Sequence, residues 1–399
     1  MKTLITLFIS LLLATSVHAA PKKAGGDTAA DGQTTTEPGN SAAGKGKKAT
    51  KGKGKNRKKR GSQDNRAEPQ DPTDALAALS SSPDDLLTLN DVVGTGVSWD
   101  KSGAPFIKVY VSEGKGDRNI PKSIGEFSVR TENVGNVYAL NVPCELREGN
   151  GKDGGCKGLE KTLEQNTDGL SEPPTPQEWH ERPAPIGVSV GSSAMAPGTL
   201  GCRVSRGCHS YVLTNSHLVA DDTLLTQPAA YDEGNSDDAI AQLFEASQVI
   251  MNTLPTTENR VDAAIYQVSG AVVDTGTRSN GYGNPMAITR DGELDLDVMK
   301  YGRTTAQTHG YIDAVGVTMV VNYEDGSARF VDQIVIKSDD TEADFALPGD
   351  SGSLVVGDGG EDDRKPVGLL FASGKRISLA NPIDDVLNEL DIDIDGDFE

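Results

Sequence analysis

Aromatic residues and cysteine are scarce in this chain: 5% of its 399 residues are Phe, Trp or Tyr, and only four are Cys. Hydrophobic residues make up 36%, against 45 Gly and 20 Pro. So many helix-breaking positions exclude a helical bundle, and part of the chain is expected to bury no core at all. Beyond the N-terminus no run approaches the roughly 18 apolar residues of a membrane-spanning helix, which excludes a polytopic membrane protein. No Cys-x-x-Cys occurs, so the ligand spacing of a structural zinc site is missing. Neither a metal nor a cofactor is expected. Positive charge is also in deficit. Lys and Arg number 38 against 59 Asp and Glu, a formal net charge of −21. An acidic body of this kind repels phosphate backbones, which argues against specific nucleic-acid binding.

The positive charge that exists is concentrated. Residues 21–60 hold 12 Lys and Arg against three acids and end in Lys55-Asn56-Arg57-Lys58-Lys59-Arg60. Before them, Met1-Lys2 precedes an apolar run from Leu4 to Ala14 and the small-residue pattern Val17-His18-Ala19. This is the pattern of a signal peptide spanning 1–19, cleaved after Ala19, for a protein that is secreted or periplasmic/cell-surface, without a membrane span in its mature form. Residues 20–85 are low in complexity and read as a disordered basic arm, of which residues 21–60 offer an electrostatic hook for acidic surface polymers. In an exported chain an even cysteine count suggests two disulfides. The four form two close pairs, Cys144/Cys156 and Cys202/Cys208. Proximity favours local pairing, although three pairings are open.

Residues 86–143 read as a small α+β accessory domain, with strands at Ile107 to Val111, Phe127 to Arg130 and Val137 to Val142. Residues 144–185 are rich in proline and read as a linker. From Ile186 to the end, residues 186–399 show short apolar strands at close spacing between glycine turns, the pattern of an all-β barrel or sandwich. One helix is expected near the end. Pro382 precedes it, and Ile383, Val386, Leu387 and Leu390 give it one apolar face.

Three local motifs in this β-rich part carry chemistry. Tyr211-Val212-Leu213-Thr214-Asn215-Ser216-His217 is an apolar strand running into a histidine. Val261-Asp262-Ala263-Ala264-Ile265 sets an aspartate at the mouth of another. Pro348-Gly349-Asp350-Ser351-Gly352-Ser353-Leu354 brackets a serine with glycines. A serine hydroxyl is a weak nucleophile near neutral pH and needs a base, for which a neutral imidazole is suited. A carboxylate can fix the imidazole tautomer.

At these residues the chain resembles the chymotrypsin/trypsin-like serine peptidases of bacterial type, over roughly Ile186 to Leu390. Gly349-Asp350-Ser351-Gly352 is the most specific element, and His, Asp and Ser occur in the family's order. The resemblance implies a double β-barrel with a C-terminal helix and a serine-type endopeptidase. Ser351 would be the nucleophile, His217 the general acid and base, and Asp262 the orienting carboxylate. The N–H groups of Gly349 and Ser351 would form the oxyanion hole, and the partners would be protein or peptide substrates. The pocket floor would fall at Phe345, six residues before the nucleophile, implying an apolar or shallow pocket. A one-residue difference would place Asp344 there and make the pocket trypsin-like. Phe371-Ala372-Ser373-Gly374 stands where the family often has Ser-Trp-Gly, so Ser373 joins Phe345 as a pocket residue. The usual Ile-Val-Gly-Gly N-terminus is not found, and Arg182 offers only a candidate cleavage point. A catalytically inactive peptidase-fold binding or adhesion protein at the cell surface is the alternative. Deleting residues 21–85 is expected to abolish salt-dependent retention of the protein on an immobilised polyanion, and unchanged retention at low salt would contradict a binding arm.

Overall fold

The computed structural model describes Ala67, residues 70–82, 85–114, 119–143, Arg147, 174–192, 196–220 and 223–398. The signal peptide, residues 20–66 of the basic arm, Cys144 and Cys156 lie outside the described residues, and the end of the segment expected to be disordered forms instead the helix Thr73–Ser80, with Ala75 buried.

The described part of the chain is all-β in class, with two barrel-like sheets and two short α-helices. The first sheet has six strands. In spatial order they are Leu224–Thr226, Ala239–Ala246, Ala264–Val268, His209–Thr214, Cys202–Arg206 and Asp393–Ile394. Alternation explains why these segments form strands. In Cys202–Arg206, Cys202 and Val204 are buried between half-exposed neighbours. Their side chains meet Leu213, Ile265 and Tyr266 in one apolar cluster. The helix Ile383–Leu390 adds Ile383, Val386 and Leu390 to that cluster, as its i, i+3, i+7 spacing requires. Each such fully buried side chain stabilises the fold by roughly 1.5–3 kcal/mol. The strand at 393–394 explains the acidic tail. Its Ile394 is buried, while Asp395 pairs with Arg203 at 2.5 Å and Asp397 with Arg364 at 2.9 Å.

The second sheet is larger. Asp297–Gly302, Leu354–Gly357, Pro366–Gly374, Ile377–Pro382, Gly326–Ser338 and Ala306–Tyr323 follow one another, and the last also pairs with the first. That return pairing closes a six-stranded barrel. Ala306–Tyr323 is 18 residues long and serves two purposes. Its first six residues pair with Asp297–Gly302, and its outer part pairs with Val92–Trp99 between Gly94↔Met319 and Val97↔Val315. Pro105–Val111, Phe127–Asn133 and Ser123–Ile124 then continue the same sheet outward. The segment expected as an accessory domain therefore has its own cluster, of Leu86, Val92, Ile107, Val109 and Val111, but shares its sheet with the second barrel.

Cys202 and Cys208 correct the expected disulfide: both are free thiols. Cys202 lies opposite Leu213, whereas Cys208 sits beyond the Arg206↔His209 end of the same hairpin. The several residues of extended strand between them exceed the roughly 7 Å that a disulfide can span. Cys202 is also buried in the first cluster, while Cys208 is exposed.

A partly buried ion network joins the outer strands to the barrel. Lys108 lies 2.6 Å from Asp313 and 3.1 Å from Glu132, and Lys337 lies 3.2 Å and 2.7 Å from the same two acids. Burial pushes the Asp313 carboxyl up, but the two ammonium groups and their hydrogen bonds outweigh it and hold the carboxyl below its ordinary value. A depressed native pKa contributes stability that is present above the unfolded value, about 4, and lost as pH falls through the native value. Asp313→Asn is therefore expected to destabilise the protein at pH 7, by urea unfolding, with the difference from wild type shrinking as pH drops below about 4.

Candidate active site

His217 follows the strand His209–Thr214 in the short turn Ser216–Leu218. Asp262 stands just before Ala264–Val268, the neighbouring strand in the same sheet. Ser351 lies in the turn before Leu354–Gly357 of the second barrel. Residues 45 and 89 positions apart in sequence thus meet between the two sheets. His217 Nδ1 is 2.6 Å from Asp262 Oδ2, and His217 Nε2 is hydrogen-bonded to Ser351 Oγ.

Asp262 is fully buried, and its carboxylate is heavily solvated by protein donors. Oδ1 accepts from the Ser216 hydroxyl at 2.7 Å and from the His217 backbone N–H at 3.1 Å. Oδ2 accepts from the Tyr323 hydroxyl at 2.8 Å as well as facing the imidazole. Burial works to raise this carboxyl's pKa, but the His217 charge and the hydrogen bonds from His217, Ser216 and Tyr323 prevail and lower it. The backbone is fixed too. Asp262 N–H donates to Asn381 Oδ1 at 3.0 Å, and Asp262 O accepts from Asn215 Nδ2 at 2.6 Å. An ionised Oδ2 accepts from the Nδ1–H, so in the neutral form of the imidazole Nε2 presents a lone pair to the serine hydroxyl.

The serine turn needs its glycines. Gly349 and Gly352 have φ of +95° and +86°. A side chain at Gly349 would strike Thr304 and Arg303, and one at Gly352 would strike Thr214 and the Thr199 carbonyl. Between the glycines, Asp350 turns away from the histidine. Its Oδ1 accepts from the Thr304 and Thr305 N–H groups at 2.9 and 3.1 Å. Its Oδ2 accepts from the Thr305 hydroxyl at 2.7 Å and the Leu347 N–H at 2.9 Å, with Lys300 Nζ 3.7 Å away. Lys300 and Asp350 are both fully buried. Burial lowers the Lys300 pKa against the opposing pull of Asp350. Among the described residues this pair anchors the turn.

The expected pocket residues come from two separate segments. Phe345 is buried in the second barrel's cluster, and Ser373 lies at the end of Pro366–Gly374. Gly349 N–H points at a carbonyl, that of Leu140, at 3.0 Å. The other histidines stay apart. His309 pairs with Asp358 at 2.8 Å, and His180 Nε2 lies 2.9 Å from the Thr175 carbonyl. Among the described residues no group of three or more His, Cys, Asp or Glu could hold a metal ion. No helix among them is long and apolar enough to cross a membrane.

Tyr323, Asn381 and Lys300 were not anticipated from sequence. Each reaches the site from a remote strand, through register that no local motif records. Only Lys300 left a trace, as one charge inside the apolar strand Asp297–Gly302.

No protein-family model and no curated protein matches the chain. Solved structures similar to it are bacterial chymotrypsin-like serine proteases, over about half the chain. Thermobifida fusca Protease A shares 16% identity at a TM-score of 0.38, over 53% of this chain and 98% of its own. Cellulomonas bogoriensis chymotrypsin shares 16% at 0.37, over 54% and 99%. A glutamic acid specific serine protease that utilizes a histidine triad in substrate binding shares 17% at 0.38, over 52% and 98%.

Tyr323→Phe removes one hydrogen bond from a buried carboxylate and is expected to cost about 1.5–3 kcal/mol of stability. Lys300→Met leaves Asp350 without its counter-ion and is expected to cost about 3–5 kcal/mol. Urea unfolding measures both.

Proposed function

We propose that the chain is an exported serine endopeptidase that hydrolyses peptide bonds through an acyl-enzyme. The observation that carries this reading is the continuous hydrogen-bonded line from Asp262 through His217 to Ser351. In this reading the Ser351 hydroxyl gives its proton to His217 Nε2 as Oγ attacks the substrate carbonyl carbon. Asp262 stabilises the imidazolium that results, being itself ionised and fully hydrogen-bonded. The N–H groups of Gly349 and Ser351 receive the oxyanion. One such donor is worth about 3–4 kcal/mol to the transition state. His217 then passes the proton to the leaving amine, and water releases the acyl group by the same route in reverse.

Two further features support the reading. The lowered pKa of Asp262 keeps it ionised across the range in which a histidine base operates. The Lys300–Asp350 pair holds the serine turn in place without a newly cut N-terminus, consistent with the missing Ile-Val-Gly-Gly sequence. We infer that processing is not needed to shape the oxyanion donors. Export through residues 1–19, and attachment to acidic polymers through residues 21–60, complete the proposal.

A fluorophosphonate probe tests it. Wild-type protein is expected to take up one probe per chain on Ser351, and Ser351→Ala none. His217→Ala is expected to label at least about a hundredfold more slowly, the usual scale of lost general-base assistance. Folded wild-type protein that takes up no probe at Ser351, however long the exposure, would contradict the proposal.

A further inference from the structure

The cleft beside Ser351 is filled by the chain itself. Tyr138–Ala139 is a short strand lying antiparallel on Pro366–Gly374, with Ala139 opposite Ala372 and Tyr138 opposite Ser373. The next residue continues the contact. Leu140 N–H donates to Phe371 O at 2.9 Å, and Leu140 O accepts from Gly349 N–H at 3.0 Å. The Leu140 side chain is fully buried, in one apolar cluster with Phe345, Ala346 and Leu370. Ser351 is fully buried as well, and the His217 side chain is only 4% exposed.

Past Leu140 the chain turns out of the cleft. Val142 N–H donates back to Ala139 O at 3.1 Å, and Asn141 Nδ2 donates to the His217 carbonyl at 3.3 Å. Arg147 clasps the turn. Its guanidinium is buried and donates to Val142 O at 3.1 Å, Ala139 O at 3.2 Å and the Ser373 hydroxyl at 3.1 Å. Burial lowers its pKa to about 10, against the opposing influence of Tyr138 and Asp344, so it stays charged at neutral pH.

A peptide being cut by Ser351 would need the same three things: an edge to pair with, an N–H donor for its carbonyl, and a pocket for the side chain on that carbonyl's residue. Residues 138–140 take all three at once, so another peptide can enter only when they leave. Resting on the serine-peptidase reading above, we propose that Tyr138-Ala139-Leu140 is a built-in occupant that holds the substrate cleft closed. The same geometry identifies the substrates of the opened site, peptides with leucine or an aliphatic residue of similar size before the bond to be cut. Phe345 and Ala346 pack against an apolar side chain and offer no partner to an ammonium or a carboxylate, which would be desolvated there uncompensated.

The test compares the wild-type chain with Leu140→Asp and Arg147→Ala, on Tyr-Ala-Leu, Tyr-Ala-Lys and Tyr-Ala-Glu p-nitroanilides. Leu140→Asp expels the occupant's side chain. Arg147→Ala leaves Leu140 in place and removes only the clasp, so it serves if the first variant does not fold. Thermal unfolding establishes which chains are folded. Apparent affinity scales with the open fraction, so both variants are expected to raise kcat/KM for the leucine substrate about tenfold or more. The leucine substrate is expected to exceed the other two by about tenfold or more in every chain. Fluorophosphonate labelling is read in parallel. Folded variants that label at the wild-type rate and cut no faster overturn the occupant and leave the peptidase reading intact. Preference for the lysine or glutamate substrate overturns the assigned pocket. Folded variants that take up no probe overturn both the reading and the proposal that rests on it.

Discussion

One fully buried carboxylate governs this structure. Asp262 is fully buried, so its charge survives only because protein donors replace its hydration. Those donors come from two places. Ser216 and His217 belong to the turn that ends a strand of the first barrel and Tyr323 to the longest strand of the second sheet, while the Asp262 backbone N–H itself donates to Asn381 in Ile377–Pro382. The two sheets must therefore lie in one relative position for the charge to be satisfied. That position also brings His217 Nε2 to the hydroxyl of Ser351. The carboxylate that is hydrogen-bonded to the imidazole is thus also bonded to both sheets.

The same logic recurs on the far side of the serine. Asp350 is another buried carboxylate, met by Lys300 and by donors from Thr304, Thr305 and Leu347. Thr304, whose N–H meets Asp350, also donates its hydroxyl to the Pro348 carbonyl at 2.7 Å, which holds the Pro348–Gly349 peptide and hence the direction of the Gly349 N–H. Ser351 sits between two satisfied charges, each held by a different part of the fold. A residue in this setting has little freedom to be displaced, which is the preorganisation that acyl transfer requires. The occupied cleft follows from the same rigidity. A Gly349 N–H fixed in direction needs an acceptor, and Leu140 supplies one.

The local motifs were legible because each is written in consecutive residues. The strand into His217, the aspartate before Ala263-Ala264-Ile265 and the glycines around Ser351 could be read directly, and the structure brings those three residues together. The short strands of 186–399 and the terminal helix were legible from periodicity. What the sequence did not disclose depends on pairing between distant segments. Tyr323 reaches Asp262 only because Ala306–Tyr323 runs on past the barrel, and nothing in its composition marks where the barrel ends. Leu140 and Arg147 lie in segments read as accessory strand and linker, yet they meet Phe371 and Ser373 more than 220 residues later. The Cys202–Cys208 pairing failed for the same reason. Six residues of sequence suggested proximity, but an extended hairpin arm separates them.

Whether this arrangement makes Ser351 a nucleophile is tested most directly by trapping its covalent intermediate. The Arg147→Ala chain, mixed with p-nitrophenyl acetate and quenched in acid within one turnover, can be mapped by peptide mass spectrometry. One acetyl group per chain is expected, on the peptide carrying Ser351, released on return to neutral pH at the rate of steady-state turnover. Acetylation scattered over lysines, with Ser351 unmodified in the folded protein, would contradict a nucleophilic Ser351.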